Sequence, residues 1–185
     1  MNKVFALIGP PASGKSSILH ALAQYDIPEM ISHTTRKPRP GEEHGVQYYF
    51  VSKEDFQKQE LIERVEYSGN FYGLSKTEVL DKVNRHLVSV VAIETQGLVQ
   101  LKKLLADRLE SIFIMADHDI LITRMLERGD DTAVINRRIE YANSTGEFNQ
   151  WQTANYVVKN TGSFEVAVRQ VLAIIGKATL PEKAV

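Results

Sequence analysis

The stretch that decides the fold is "VFALIGPPASGKSSI", Val4 to Ile18. Five apolar residues, Val4–Ile8, run straight into a turn rich in glycine and proline. "SSILHALAQY" follows with the apolar spacing of an amphipathic helix. Gly9, Pro10, Pro11, Ala12, Ser13, Gly14, Lys15 and Ser16 fill the pattern G-x-x-x-x-G-K-[ST] in register. The pattern is mechanical. A buried strand stops, a loop turns its backbone N–H groups inward, and a helix starts at the loop's end, which together make an anion cradle. Lys15 then reaches the β- and γ-phosphates of a nucleotide, Ser16 presents its hydroxyl to Mg²⁺, and Ser17 follows in the same first turn. A glycine-rich turn with no ligand is the bland alternative. The full pattern, flanked by a strand and a helix, argues against it.

Composition bounds the rest. A chain of 185 residues, 43% hydrophobic and 24% charged, is an ordinary globular chain of about one domain. It is long enough to bury a full core and carry loops or a lid besides. Lysine and arginine total 22 against 23 acids, a net charge of −1. That balance argues against bulk attraction to nucleic acid or an anionic membrane. There is no cysteine, which excludes disulfides, thiolate metal sites and cysteine catalysis and fits a reducing interior. "LVSVVAI" and "VLAII" are far short of a membrane span, and "VFALI" is too short for a secretory signal. A soluble cytoplasmic protein is the expectation.

Along the chain, strand-like runs alternate with helical ones. After Val4–Ile8 come the buried run "LVSVVAI", then "SIFIMA" and "NYVVKN". Between and after them lie helical patterns at Ser16–Tyr25, "SKTEVLDKVNRHL", Val99–Leu105, "DILITRMLERG" and "SFEVAVRQVLAIIGK". Strands separated by helices predict a parallel sheet covered on both faces, a three-layer α/β fold. Two polar stretches, about 31–75 and 124–151, read as insertions around the phosphate site. Within the first, "VQYYFV" is a short strand pattern, and "KEDFQKQELIERV" has helical spacing at Phe56, Leu61, Ile62 and Val65.

The first insertion contains "ISHTTRKPRPGEEHGVQYYFVS". A basic cluster is usually a solvated loop. Here Arg36 and Arg39 stand beside Ser32, Thr34, Thr35, Tyr48 and Tyr49, the donor set a phosphate monoester needs. The sequence thus holds a second anion site distinct from the loop at Gly9. The stretch resembles the acceptor-binding region of guanylate kinases, S-x-T-T-R-x-P-R-x-G-E-x-x-G-x-x-Y-x-F. It matches at Ser32, Thr34, Thr35, Arg36, Pro38, Arg39, Gly41, Glu42, Gly45, Tyr48 and Phe50. Three further motifs follow in order: "ERVEYSGNFYGLS", "AIETQG", and an arginine-bearing lid, "RMLERGDDTAVINRRI".

The resemblance implies a P-loop nucleoside monophosphate kinase with a small mixed α/β GMP-binding insertion and a helical lid. It divides a single domain into a core of about 1–31, 76–123 and 152–185, a GMP-binding region of about 32–75 and a lid of about 124–151. By resemblance Arg36, Arg39, Tyr48 and Tyr72 hold the phosphate of GMP, while Ser32, Glu63 and Glu94 belong to the acceptor site. The chemistry of Glu63 agrees, because a carboxylate accepts from guanine's N1–H and N2 amino group together and adenine has no N–H at that ring position. In the lid, Arg124 and Arg128 are four apart and are expected to share a helix face, with Arg138 beyond them. These arginines, with Lys15, Arg36 and Arg39, are expected to neutralise charge during phosphoryl transfer. The resemblance puts Asn160 at the adenine, Mg²⁺ with ATP as cofactor, and ATP and GMP as partners of a monomer or homodimer that binds neither nucleic acid nor membrane.

The chain departs from the family pattern at Ala92 and Glu94, where aspartates are usual, and at Leu74, where serine or threonine is usual. The usual acid after Asn160 is missing, and the lid is one residue short between Gly129 and Ile135. Ala92 and Glu94, two apart on a strand, are expected to face the acceptor site together. Two other readings share these motifs: a related kinase acting on another phosphorylated small molecule such as a sugar phosphate, and a non-catalytic binding module. Glu63 and the tyrosines speak against the first, and Lys15, Ser16 and the lid arginines against the second.

Overall fold

The computed structural model describes residues 2–67 and 69–179. The first apolar run is β1, Lys3–Ile8, and its alternation divides the core. Val4, Ala6 and Ile8 enter one apolar cluster, and Phe5 and Leu7 enter another. A strand buried on both faces needs helices on both sides. The first cluster is closed by α3, Lys76–Arg85, through Val79 and Val83, and by α4, Thr95–Leu105, through Leu98 and Leu101. The second is closed by α1, Lys15–Leu22, through Ile18 and Leu22, and by α7, Phe164–Thr179, through Ala167 and Val171.

The other core strands are β6, Val88–Ala92, β7, Leu109–Met115, and β8, Tyr156–Lys159. All pair in parallel in the order β6-β1-β7-β8, and Glu29 adds a parallel bridge to Val90 at the edge. The register sets Leu7 beside Ala92 and Ile8 beside Phe113. The loop after β1 and the residues after β6 therefore leave the sheet side by side at its carboxyl end, where ligands bind in open α/β sheets.

A second sheet forms from the first insertion: β2, His33–Thr34, β3, Tyr49–Phe50, β4, Val65–Tyr67, and β5, Asn70–Gly73, in the order β3-β2-β5-β4. Buried Glu78 of α3 ties it to the core by accepting from Ile31 N at 2.9 Å and Tyr49 Oη at 3.2 Å. The second insertion is helical, as expected. It holds the end of α5, His118–Glu127, then α6, Thr132–Ser144, and a 3-10 segment, Glu147–Gln152. Leu121, Met125, Ile135 and Phe148 form a small apolar cluster there with Ala116 and with Ala12 of the loop after β1. Among the described residues no helix is long and apolar enough to cross a membrane.

Two local expectations change, and one pair of arginines divides between partners. The helical spacing over "KEDFQKQELIERV" holds only for α2, Lys53–Gln57, capped by Ser52. Beyond it the backbone pairs with residues 74–76 instead, Ile62 N to Leu74 O at 2.7 Å and Lys76 N to Glu60 O at 2.8 Å, so Glu63 lies on extended chain rather than on a helix. Arg124 and Arg128 stand one turn apart at the end of α5, Arg128 being the C-cap in helical conformation, and they reach different partners. Ala92 packs against the α1/α7 cluster, whereas Glu94 is the N-cap position of α4. The turn into that helix separates the two.

Candidate active site

At Gly9, φ is 132°, and a Cβ would stand 2.6 Å from the carbonyl of Ile114. The crossing of the loop over β7 therefore admits glycine alone. The loop ends at Gly14 and α1 begins at Lys15, which turns first-turn N–H groups toward the loop's centre. Lys15 Nζ donates to Gly9 O at 2.6 Å and Pro10 O at 3.0 Å. Burial lowers its pKa, opposed by the carboxylates of Glu147 and Glu94. Ser16 and Ser17 are exposed on the same turn.

Two distant residues brace this loop. Asn160, just past β8 and 1% exposed, donates from Nδ2 to Ser13 O at 2.8 Å. Arg124 donates to Asn160 O at 2.9 Å and to Ala12 O and Ser13 O at 3.3 Å each. The structure thus places Asn160 and Arg124 at the P-loop. Arg128 and Arg138 meet instead on Asp130, at 2.6 and 3.1 Å. That carboxylate offsets the repulsion of two guanidinium groups held close together.

On the acceptor side, Arg36 makes a two-pronged pair with Glu42, both N···O distances 2.9 Å. The pairing raises the Arg36 pKa and lowers that of Glu42. The guanidinium carbon lies 5.6 Å from the ring centre of Tyr48, and Tyr48 meets Tyr72 edge-on at 5.8 Å. Arg39 is exposed, with its backbone N–H on the same Glu42 at 2.7 Å. Ser32 lies at the start of this segment, its carbonyl accepting from Tyr49 N at 2.9 Å. Sequence reading matched Glu42 to the motif but missed its work, although an acid six residues after an arginine across a glycine turn is a usable signal.

Glu63 and Glu94 come together from separate segments. Glu94 N donates to Glu63 Oε2 at 3.4 Å, and Gly97 is what makes room. Any Cβ at Gly97 would collide with that same oxygen and with Ile93. Burial, with the Glu94 charge next, pushes the Glu63 pKa up to about 8. Glu94 and buried Glu147 are also raised by burial, each opposed by Lys15. Glu147 and Tyr141 carried no signal in the sequence motifs.

A raised carboxylate pKa has a definite sign in stability. Against an ordinary value of 4.5, Glu63 contributes stability that is fully present below that pH and is lost as pH rises through about 8. Glu63→Gln keeps the shape and cannot ionise. The ligand-free variant is therefore expected to melt above the parent at a pH of about 8, with the gap closing at about pH 5. A gap equal at both pH values contradicts this.

A glycine-rich loop and lysine at the end of a central parallel strand, with an arginine–tyrosine cluster on an insertion, are the parts that phosphoryl transfer between two phosphorylated molecules calls for. That class is the P-loop kinases. The guanylate kinase family model matches residues 1–178. The chain is 34% identical over 182 residues to a guanylate kinase of Photobacterium profundum, covering 93% of this chain and 86% of the relative. It is 33% identical over 190 residues to that of Vibrio parahaemolyticus, covering 97% and 90%. The crystal structure of guanylate kinase from Anaplasma phagocytophilum superposes with a TM-score of 0.74 at 25% identity, covering 98% of this chain and 88% of that one. The chain belongs to the guanylate kinase family.

Proposed function

We propose that the chain transfers the γ-phosphoryl group of ATP to GMP, giving ADP and GDP. The observation that carries this reading is the buried Glu63 carboxylate in the space Gly97 clears, its Oε2 accepting from the backbone N–H of Glu94 at 3.4 Å. Two acceptors set side by side suit the N1–H and N2 donors of guanine, and a base lacking them would leave buried acceptors unpaired. The two family departures that bear on the acceptor are absorbed elsewhere. Leu74 is fully buried in the core cluster, Ser75 caps α3, and Ala92 packs under α1 and α7.

In this reading the P-loop from Gly9 to Ser17 and Asn160 bind ATP. Arg36, Arg39, Tyr48 and Tyr72 take the acceptor phosphate, and Ser32, Glu63 and Glu94 the base. Catalysis is positioning and charge neutralisation with no covalent intermediate, by Lys15, Arg36, Arg39, Arg124, Arg128 and Arg138. Arg128 and Arg138 exchange Asp130 for phosphate as the lid region, about 124–151, closes over the core and excludes water. The residues present fit Mg²⁺. Ser16 offers an exposed hydroxyl at the helix start, and such a cation is held largely through nucleotide phosphates. When bound it would neutralise phosphate charge. The enzyme is read as cytoplasmic, monomeric or homodimeric, and acting on free nucleotides.

The test is ADP release across GMP, dGMP, AMP, UMP, CMP and ribose phosphates. GMP is expected to be the preferred acceptor. Faster turnover of a pyrimidine nucleotide or a ribose phosphate overturns the reading, and ATP binding without transfer to any acceptor favours the non-catalytic module.

A further inference from the structure

Glu94 is approached from the helical insertion as well as from Glu63. Tyr141 of α6 lines the same cavity of about 180 Å³ as Glu63, Arg64, Glu66, Glu94 and Gln96. Its phenol donates to Glu94 Oε2 at 3.4 Å. The residue is 47% exposed, so core packing does not account for an aromatic ring at this position. A second contact lies farther along. Gln150 Nε2 donates to Thr95 Oγ1, so the segment from Tyr141 to Gln150 rests on the consecutive residues Glu94 and Thr95.

The helix that carries Tyr141 also carries Arg138 three residues earlier, and side chains at that spacing share a helix face. One rigid element therefore bears both an arginine of the lid and an aromatic ring at the rim of the acceptor pocket. A phenol suits that rim. Its hydroxyl satisfies one oxygen of Glu94 and leaves the remaining lone pairs for an incoming N–H. Its ring offers a flat apolar surface to a nucleobase.

We propose that Tyr141 is the acceptor-sensing residue of the lid: its ring caps the base pocket, and its hydroxyl orients Glu94 toward the base. Closure over the donor is thereby favoured when the acceptor is in place. The proposal rests on the base-binding reading of Glu63 and Glu94. Tyr141 acts partly through Glu94 and so is a positioning residue for the transfer.

The experiment is steady-state kinetics of the parent, Tyr141→Phe and Tyr141→Ala, varying GMP and ATP separately, with melting temperatures alongside. Tyr141→Ala is expected to raise the KM for GMP by about tenfold or more, with the KM for ATP within about twofold and the melting temperature unchanged. Tyr141→Phe keeps the ring and loses the donor, and is expected to fall between the two. An alanine variant whose GMP KM stays within about twofold of the parent, or whose GMP and ATP constants rise together, overturns the proposal. If the parent prefers another acceptor, the guanine reading fails alone, and Tyr141 stands or falls by the same ratio measured with that acceptor. A parent inactive with every acceptor overturns both.

Discussion

Lys15→Met is expected to lower kcat by about a thousandfold or more, about 4 kcal/mol of transition-state stabilisation, in a protein that still folds. The lysine is the one full positive charge on the first turn of α1, and its Nζ lies 2.6 and 3.0 Å from the carbonyls of Gly9 and Pro10. That position is the floor of the cradle, where it meets negative charge developing between donor phosphates. Burial already disfavours the charged form. Methionine, of similar length and uncharged, gives up those two carbonyl contacts but also removes the cost of desolvating a charge, so the fold is expected to persist. Circular dichroism and a melting temperature equal to or above the parent's are the accompanying observations. Activity within about tenfold of the parent in a folded variant would remove the P-loop from the chemistry.

Glu63→Gln is expected to lower kcat/KM for GMP by at least about tenfold, about 1.4 kcal/mol, with the KM for ATP little changed. The amide places an N–H donor where guanine also brings donors. The parent should also couple binding to protonation. With its pKa pushed up to about 8 in the ligand-free pocket, Glu63 is largely neutral at about pH 7. Accepting both guanine donors requires the ionised form, so GMP binding releases a proton. Calorimetry in buffers of different ionisation enthalpy reads that release, and the variant should lose it. An unchanged preference for GMP over AMP, together with unchanged proton release, would take Glu63 out of base recognition.

The carboxylate pair shows how far the chain could be read without its fold. Glu63 was identified by motif and chemistry, but its spacing with Phe56, Leu61, Ile62 and Val65 pointed to a helix. The extended course of that segment is set by bonds from Glu60 and Ile62 to residues 74–76, and no local periodicity carries that information. Arg124 and Arg128 looked equivalent at four-residue spacing. Arg124 bonds to the P-loop and Arg128 to Asp130, a difference decided by partners outside the helix.

What the sequence determined by itself are the features whose causes are local. The apolar run before Gly9, the G-x-x-x-x-G-K-S pattern, the helix that follows it, and the alternation of strand and helix together dictate a parallel sheet with a phosphate loop at its carboxyl end. The order of the arginines and tyrosines from Arg36 to Tyr72 also marked a second anion site. Tertiary structure decided which groups meet across long separations: Asn160 with Ser13, 147 residues apart, Tyr141 with Glu94, 47 apart, and Glu94 with Glu63, 31 apart. Those meetings follow from strand register and from where each helix stops. Burial at the meeting points then lowers the pKa of Lys15 and raises those of Glu63, Glu94 and Glu147, because removing a charge from water is a property of the packed surroundings and not of the residue.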